Sequence, residues 1–147
     1  ICHCLVGSEM CIRDRDISLC RLNIKKREIQ FSGALNPMLY VSGDKLTMIK
    51  GDPQPIGYSG GINKAFTVNN VKLKKDDMIY IFSDGFQDQF GGPKGKKYRS
   101  LRFRNLLKKI SLEHVDKQKI ALENEFNTWK GDQEQIDDVC IMGVRIT

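Results

Sequence analysis

Residues Met78 to Phe82 form an uninterrupted apolar run that ends abruptly on Ser83, Asp84 and Gly85. The run is too short for a helix and its flanks are turn-like, which is typical of a central strand buried on both faces. The segment therefore predicts a buried β-sheet, with Asp84 two residues beyond the end of one of its strands.

Other apolar patterns predict further strands on either side of this run. Both phases of residues 17–24 are partly apolar, which indicates burial on two faces, and a polar turn at Lys25 to Arg27 makes a hairpin with the next strand. Near the end of the chain, Val139 to Val144 predict a second buried strand, introduced by Asp137 and Asp138. The remaining predicted strands are 29–31, 38–41, 46–49 and 66–73.

Two amphipathic helices are predicted between the two apolar strands. Apolar residues recur at the i, i+3, i+4, i+7 spacing of one helix face from Phe103 to Ile110. A second stripe runs from Val115 to Trp129, and Gly131 is expected to cap that helix at its C-terminus. Strands followed by two helices and a final strand predict an α+β fold, and the hairpins favour antiparallel pairing.

The composition is that of one globular domain, since the chain has 147 residues of which 40% are hydrophobic. No apolar run reaches the roughly 18 residues that a transmembrane helix needs. The five cysteines lack zinc-finger spacing and are odd in number, which favours a reducing compartment. We therefore expect a cytoplasmic location, or the cytoplasmic side of a membrane-anchored protein. Cys20 and Cys140 lie in apolar runs and are expected in the core.

The formal net charge is +6 at pH 7, and the positive charge is concentrated in one stretch. Between Lys94 and Lys109 there are eight basic residues and no acidic one. One interpretation is a solvated loop and outer helix face; the other is a binding patch. A nucleic-acid-binding function would rest on this stretch alone. Its aromatic residues are Tyr98 and Phe103, too few for a stacking surface, so we expect no nucleic-acid partner.

Residues 1–15 differ from the rest of the chain, since they show neither strand alternation nor a helical stripe. The string Met10 to Arg15 is what a common transposon-adapter DNA sequence encodes. We therefore predict that residues 1–15 are derived from an adapter and do not belong to the fold. The alternative is an irregular N-terminal tail.

Asp84 and Asp137 are the candidate metal ligands. If the strands beside them are antiparallel neighbours, both carboxylates fall at the same edge of the sheet. Two carboxylates forced together repel unless a cation or a proton lies between them, and hard oxygen ligands suit Mg²⁺ or Mn²⁺. Gly85 would let the backbone approach closely at that edge. The alternative is that these are ordinary turn residues, and Asp88 is either a supporting residue of the site or an exposed loop acid.

Three segments together carry a family resemblance. They are Phe31 to Tyr40, which contains Gly33 and Pro37; Ile81 to Phe86, which contains the Asp-Gly pair; and Gln135 to Val139, which contains the Asp-Asp pair. In this order they resemble the motifs of PPM-type bacterial serine/threonine phosphatases, which are metal-dependent and have the protein phosphatase 2C fold. The resemblance is to the branch that includes the sporulation stage II E phosphatase.

The resemblance implies an antiparallel β-sandwich flanked by helices, with two Mn²⁺ or Mg²⁺ ions at one end. Asp84 and Asp137 would be metal ligands, and Gly85, Asp138 and Asp88 further metal or supporting residues. The ions would activate a water that attacks phosphoserine or phosphothreonine in line, so no protein nucleophile is required. The substrate would be a phosphorylated regulatory protein of the anti-sigma-antagonist type, and an upstream sensor domain is expected.

One feature of the family has no counterpart in the chain. The family has an upstream Asp, followed by a Gly-His-Gly segment, that bridges both metals, and nothing in residues 1–24 resembles it. We therefore expect residues 16–147 to be the C-terminal portion of a phosphatase domain, incomplete at the N-terminus and inactive, or nearly so, alone. The alternative is a non-catalytic regulatory or partner-binding module of the same fold.

Overall fold

The computed structural model describes residues 15–57 and 64–147. The elements are, in chain order, β1 (Ile17–Asn23), β2 (Glu28–Ala34), β3 (Met38–Ser42), β4 (Lys45–Ile49), β5 (Asn69–Lys72), β6 (Met78–Phe82), α1 (Gly85–Asp88), β7 (Phe90–Gly91), β8 (Lys96–Lys97), α2 (Ser100–Ile110), α3 (Val115–Lys130) and β9 (Ile141–Arg145). All the strand pairs are antiparallel within these residues. They form a sheet of order β1-β2-β5, a sheet of order β4-β3-β6-β9 and the small hairpin β7-β8.

The two larger sheets share a core. Phe31 on β2, Met38 on β3 and Ile79 on β6 belong to one buried cluster, so residues from both sheets meet between them. Alternate residues of a strand point to opposite faces, which is why only one phase of each strand joins this cluster. Burying a large apolar side chain contributes roughly 1.5–3 kcal/mol, so this interface is a main source of stability. The antiparallel β-sandwich expected from the sequence is confirmed.

A helical layer covers the other face of the second sheet. Tyr80 and Phe82 on β6 pack in a second buried cluster with Phe103 and Leu107 of α2, and Phe126 of α3 packs against that cluster. The rings of Phe82 and Phe103 meet edge to face with their centroids 5.0 Å apart, a favoured aromatic geometry. The central strand is therefore buried on both faces, as its apolar run predicted.

The expectation of a second buried strand near the C-terminus is wrong. β9 is the last strand of its sheet in the described residues, with β6 on one side only, and Met142 and Val144 expose 55% and 37% of their surface. The same position leaves Cys140 exposed, so the expectation that it lies in the core is also wrong. The expectation that β1 is buried on both faces is also wrong, because Leu19 is 66% exposed.

Residues 1–14 lie outside the described residues, so the prediction that residues 1–15 are adapter-derived stays a prediction. Arg15 is described, and its backbone forms an antiparallel bridge with Ile56 through two hydrogen bonds of 2.9 Å. Among the described helices, none combines the length and the apolar character needed to cross a bilayer.

Candidate metal centre

The pairing of β6 with β9 brings the two candidate aspartates to one sheet edge. The strands are antiparallel, and Phe82 pairs with Ile141 at that end. Asp84 follows β6 by two residues and Asp137 precedes β9 by four, so both leave the sheet on the same side. The adjacency that the sequence reasoning required of these strands is therefore present.

Ser83 fastens the two segments together beyond the last strand pair. Its amide donates to the carbonyl oxygen of Cys140 at 3.0 Å, which extends the ladder by one step. Its hydroxyl donates to the carbonyl oxygen of Asp138 at 2.8 Å and accepts from the amide of Cys140 at 2.9 Å. Sequence reasoning did not assign this role, although a hydroxyl residue directly after a buried strand was a usable signal.

Gly85 is buried where the turn after β6 meets the segment before β9. A Cβ atom placed on Gly85 would overlap the carbonyl oxygen of Asp138 and lie 2.9 Å from its carbonyl carbon. It would also lie 3.3 Å from the carbonyl oxygen of Asp137. Only a residue without a side chain fits this contact, which confirms the expected close backbone approach.

The carboxylate of Asp84 has no structural task in the turn. Asp84 is the N-cap of α1, yet its side chain makes no capping hydrogen bond, and its carbonyl oxygen accepts the amides of Gln87 and Asp88 instead. Desolvation raises the pKa of the Asp84 carboxyl, and the negative charge of Asp137 raises it further. Among the described residues, the Asp84 carboxylate therefore has neither a capping hydrogen bond nor an ion-pair partner, and it faces a second carboxylate.

Asp137 is held by its own loop. Its side-chain oxygen accepts the amide of Asp138 at 2.7 Å, and its carbonyl oxygen accepts the side-chain amide of Gln135 at 2.8 Å. Both Asp137 and Asp138 are exposed and line a shallow surface pocket with Gln135 and Ile136. The local hydrogen bonds fix the backbone while leaving the Asp137 carboxylate open to a ligand.

Asp88 lies close to this edge but is already paired. Its carboxylate is 3.0 Å from the ammonium of Lys97, and both side chains are partly exposed. Its charge contributes to the raised pKa of Asp84, though less than desolvation and Asp137 do. The structure therefore places Asp88 beside the two aspartates as a neighbouring charge.

The donor set fits a hard divalent cation in part. Asp84 and Asp137 supply carboxylate oxygens at an open edge, the ligand type that Mg²⁺ and Mn²⁺ prefer. Among the described residues, no group of three or more His, Cys, Asp or Glu side chains is arranged to hold a metal. The described part of the chain thus offers two carboxylates of such a site.

Gln89 is a buried residue that the sequence reasoning missed. It is 0% exposed, and its side-chain amide donates to the carbonyl oxygens of Phe90 at 3.0 Å and Glu134 at 2.8 Å. Its backbone carbonyl accepts the indole N–H of Trp129 at 3.1 Å. Gln89 therefore ties the loop that carries Asp137 to the turn that carries Asp84.

Most of the chain resembles solved phosphatase domains in structure. The PP2C domain of SiaA from Pseudomonas aeruginosa matches 90% of this chain with a TM-score of 0.83 and 26% identity. The PP2C domain of SpoIIE from Bacillus subtilis, solved with a fragment of its regulatory domain, matches 89% with a TM-score of 0.68 and 24% identity. The RsbU and RsbW domains of a Mycobacterium tuberculosis protein match 90% with a TM-score of 0.70 and 19% identity.

These matches define the class: the chain has the fold of PP2C-type phosphatase domains. The family model described as stage II sporulation protein E (SpoIIE) matches residues 16–147, and the chain belongs to that family. It spans 52% of the SiaA domain, 37% of the SpoIIE structure and 36% of the Mycobacterium tuberculosis structure. A comparison with curated protein sequences found no significant match.

Proposed function

We propose that this chain is part of a metal-dependent phosphatase that hydrolyses phosphoserine or phosphothreonine on a regulatory protein. The observation that supports it most directly is the meeting of Asp84 and Asp137 at one sheet edge, with the Asp84 carboxylate free of any capping role. Membership of the SpoIIE family makes this the chemistry to test first.

Asp84 and Asp137 are the residues that would hold Mn²⁺ or Mg²⁺, two ions in the intact domain. Bound there, such a cation supplies Lewis acidity toward a phosphoryl oxygen and toward water. Ser83 and Gly85 keep the two carboxylates in register by joining their backbone segments. Asp138 contributes its backbone to both contacts, so we assign it a supporting role.

The proposed partner is a phosphorylated regulatory protein of the anti-sigma-antagonist type, acted on in the cytoplasm. An upstream sensor domain would control the activity. The similarity to a SpoIIE structure that includes a fragment of a regulatory domain supports this arrangement, as does the similarity to a structure that joins RsbU and RsbW domains.

The first experiment measures metal binding by titration calorimetry with Mn²⁺ on the 147-residue chain. We expect binding to weaken at least about tenfold in Asp84→Asn and in Asp137→Asn, because each loses a charged ligand. Asp132→Asn is the matched control, since it removes an exposed carboxylate from the same loop. Equal Mn²⁺ affinity in all four proteins would refute the assigned ligands.

The second experiment measures hydrolysis of p-nitrophenyl phosphate with Mn²⁺. It compares the 147-residue chain with the complete reading frame that contains it. We expect turnover from the complete protein to be abolished by Asp84→Asn, and little turnover from the 147-residue chain. Robust turnover by this chain would contradict the expected need for a further upstream ligand.

A non-catalytic, partner-binding module is the second candidate function. The observation in its favour is that the described residues contain no group of three or more His, Cys, Asp or Glu side chains arranged to hold a metal. The two candidates differ in their response to metal. A complete protein that shows neither Mn²⁺ binding nor hydrolysis would favour the module.

A further inference from the structure

A basic surface lies directly beside the two aspartates. It consists of the β7-β8 hairpin and the first turn of α2, and we call it the hairpin surface. Its exposed basic residues are Lys94, Lys96, Lys97, Arg99 and Arg102. Two large apolar side chains on the same elements are also exposed: Phe90 by 40% and Leu101 by 63%. Exposed apolar side chains beside cations can contribute contact area when another protein binds.

Backbone hydrogen bonds attach the hairpin surface to the turn that carries Asp84. The amide of Arg99 donates to the carbonyl oxygen of Gln87 at 2.8 Å, and the amide of Tyr98 donates to that of Gln89 at 3.0 Å. Asp84 is the N-cap of α1, three residues before Gln87. The basic surface therefore keeps a fixed position relative to the candidate metal centre.

Arg102 is paired with Glu125, and three other cations of the surface have no ion-pair partner among the described residues. Lys97 is paired with Asp88, whereas Lys94, Lys96 and Arg99 form no ion pair with any described carboxylate. Arg99 also has a φ of +74°, which is uncommon for a residue with a side chain, and it is an N-cap without a capping side chain. Neither feature requires an arginine at this position.

We propose that the hairpin surface binds an acidic segment that flanks the phosphorylated residue of the protein substrate. This inference rests on the proposed function, because the phosphorylated residue must lie at the Asp84–Asp137 edge for its flank to reach the surface. A nucleic acid fits less well: Tyr98 and Phe103 are buried, which leaves Phe90 as the one exposed ring of the hairpin surface, whereas single-stranded nucleic acids stack successive bases on several rings. Lys94, Lys96 and Arg99 attract the acidic flank, while Phe90 and Leu101 offer apolar contact.

The test measures binding of two fluorescent phosphoserine peptides to the 147-residue chain by anisotropy. One peptide carries four Asp or Glu residues beside the phosphoserine, and the other carries Asn or Gln at the same positions. We expect the acidic peptide to bind about tenfold more tightly at about 0.05 M NaCl, and the preference to fall to about twofold at about 0.5 M NaCl. Equal affinities at low salt, or no binding of the acidic peptide, would overturn the proposal.

Two triple variants with the same net charge distinguish an effect of the hairpin surface from an effect of the total charge of the protein. Lys94→Gln/Lys96→Gln/Arg99→Gln is expected to remove the preference for the acidic peptide. Lys75→Gln/Lys108→Gln/Lys109→Gln, at the opposite ends of β6 and α2, should retain it. A preference lost equally in both variants would show a net-charge effect and refute the surface. Far-ultraviolet circular dichroism melting establishes that both variants fold.

The outcomes also separate this inference from the proposed function. If Mn²⁺ binding needs Asp84 but the acidic peptide is not preferred, the proposed metal centre is supported and the proposed role of the hairpin surface is refuted. If the preference for the acidic peptide needs Arg99 but Mn²⁺ does not bind, the hairpin surface is supported, the metal centre is refuted and the partner-binding module is favoured. A single-stranded oligonucleotide that binds more tightly than the acidic peptide would overturn the choice of a protein partner.

Discussion

Gly85 and Asp138 are in direct backbone contact, because any Cβ atom on Gly85 would overlap the carbonyl oxygen of Asp138. The contact joins the turn after β6, which carries Asp84, to the segment before β9, which carries Asp137. Packing at Gly85 thus limits how closely the segments that carry Asp84 and Asp137 approach each other.

Replacing Gly85 with alanine should therefore impair folding stability and metal binding together. The added methyl group must push the two segments apart, and such overpacking typically costs about 1–3 kcal/mol. We expect a loss of this size in the free energy of unfolding, measured with urea, and weaker Mn²⁺ binding by calorimetry. Gly43→Ala is the control: φ is +56° and no atom lies within 4 Å, so it should lower stability alone. Unchanged metal affinity in Gly85→Ala would contradict the argument.

Ser83 should tolerate replacement by threonine, which keeps the hydroxyl group, but not by alanine, which lacks it. Ser83→Ala loses the hydrogen bonds to the carbonyl oxygen of Asp138 and from the amide of Cys140. Such bonds contribute about 0.5–1.5 kcal/mol each, so the free energy of unfolding should fall by about 1–3 kcal/mol. Ser83→Thr keeps the hydroxyl and should stay close to the parent in urea denaturation. Two variants of equal stability would show that the hydroxyl does not hold the segments together.

Much of this architecture could be predicted because it depends on local pattern. The apolar run of β6 identified the central strand. The shared edge was identified by Asp84, just after that run, and by Asp137, just before the C-terminal apolar run. The helical stripes identified α2 and α3, since a 3.6-residue period is visible in any amphipathic helix.

The remainder depends on strand order and on contacts with backbone atoms, which leave no pattern in the sequence. β9 is as apolar as a central strand, but it has one neighbour among the described strands, and Met142 is consequently exposed. Gln89 looks like a loop residue, yet it is buried because it bonds to a carbonyl 45 positions away, at Glu134. Side chain–to–backbone bonds of this range are visible only in the folded structure.

Gln89 gives the clearest prediction of a pH dependence. Its side-chain amide donates to the carbonyl oxygens of Phe90 and Glu134, and its own oxygen has no partner among the described residues. In Gln89→Glu, the protonated carboxyl can still donate one hydrogen bond, whereas the ionised carboxylate cannot donate at all. Burial also disfavours the ionised form, so both effects raise the pKa of the introduced carboxyl in the folded state of the variant. Stability should therefore be closest to the parent below about pH 4.3, the unfolded value, and should decline as the pH rises through the folded value.

The measurement is the free energy of unfolding in urea at acidic and neutral pH, relative to the parent at each pH. Gln133→Glu is the control, because it introduces the same charge at an exposed position in the neighbouring loop. Gln89→Leu should cost about 1–3 kcal/mol at every pH, since it removes two hydrogen bonds to partly buried carbonyl groups. A Gln89→Glu variant as stable as its control at neutral pH would mean that the site is open to water.

Asp84 should lower the stability of the metal-free protein and raise it once metal is present. Desolvation and the charge of Asp137 raise its pKa, so the ionised form is the less favourable one in the folded state. The raised pKa means that this group stabilises the fold at low pH and that the contribution is lost as the pH rises through the folded value. At neutral pH, Asp84→Asn should therefore raise the melting temperature in EDTA by about 1–2 °C.

With Mn²⁺ added, the parent should instead melt at a higher temperature than Asp84→Asn. A ligand that binds the folded state alone stabilises it, so the parent should gain in melting temperature with rising Mn²⁺ while Asp84→Asn gains far less. Thermal scans of both proteins in EDTA and in Mn²⁺ provide the comparison, with Asp132→Asn following the parent throughout. If Asp84→Asn melts below the parent in EDTA, the carboxylate stabilises the turn itself, and Asp84 is a structural residue rather than one kept ionised for a cation.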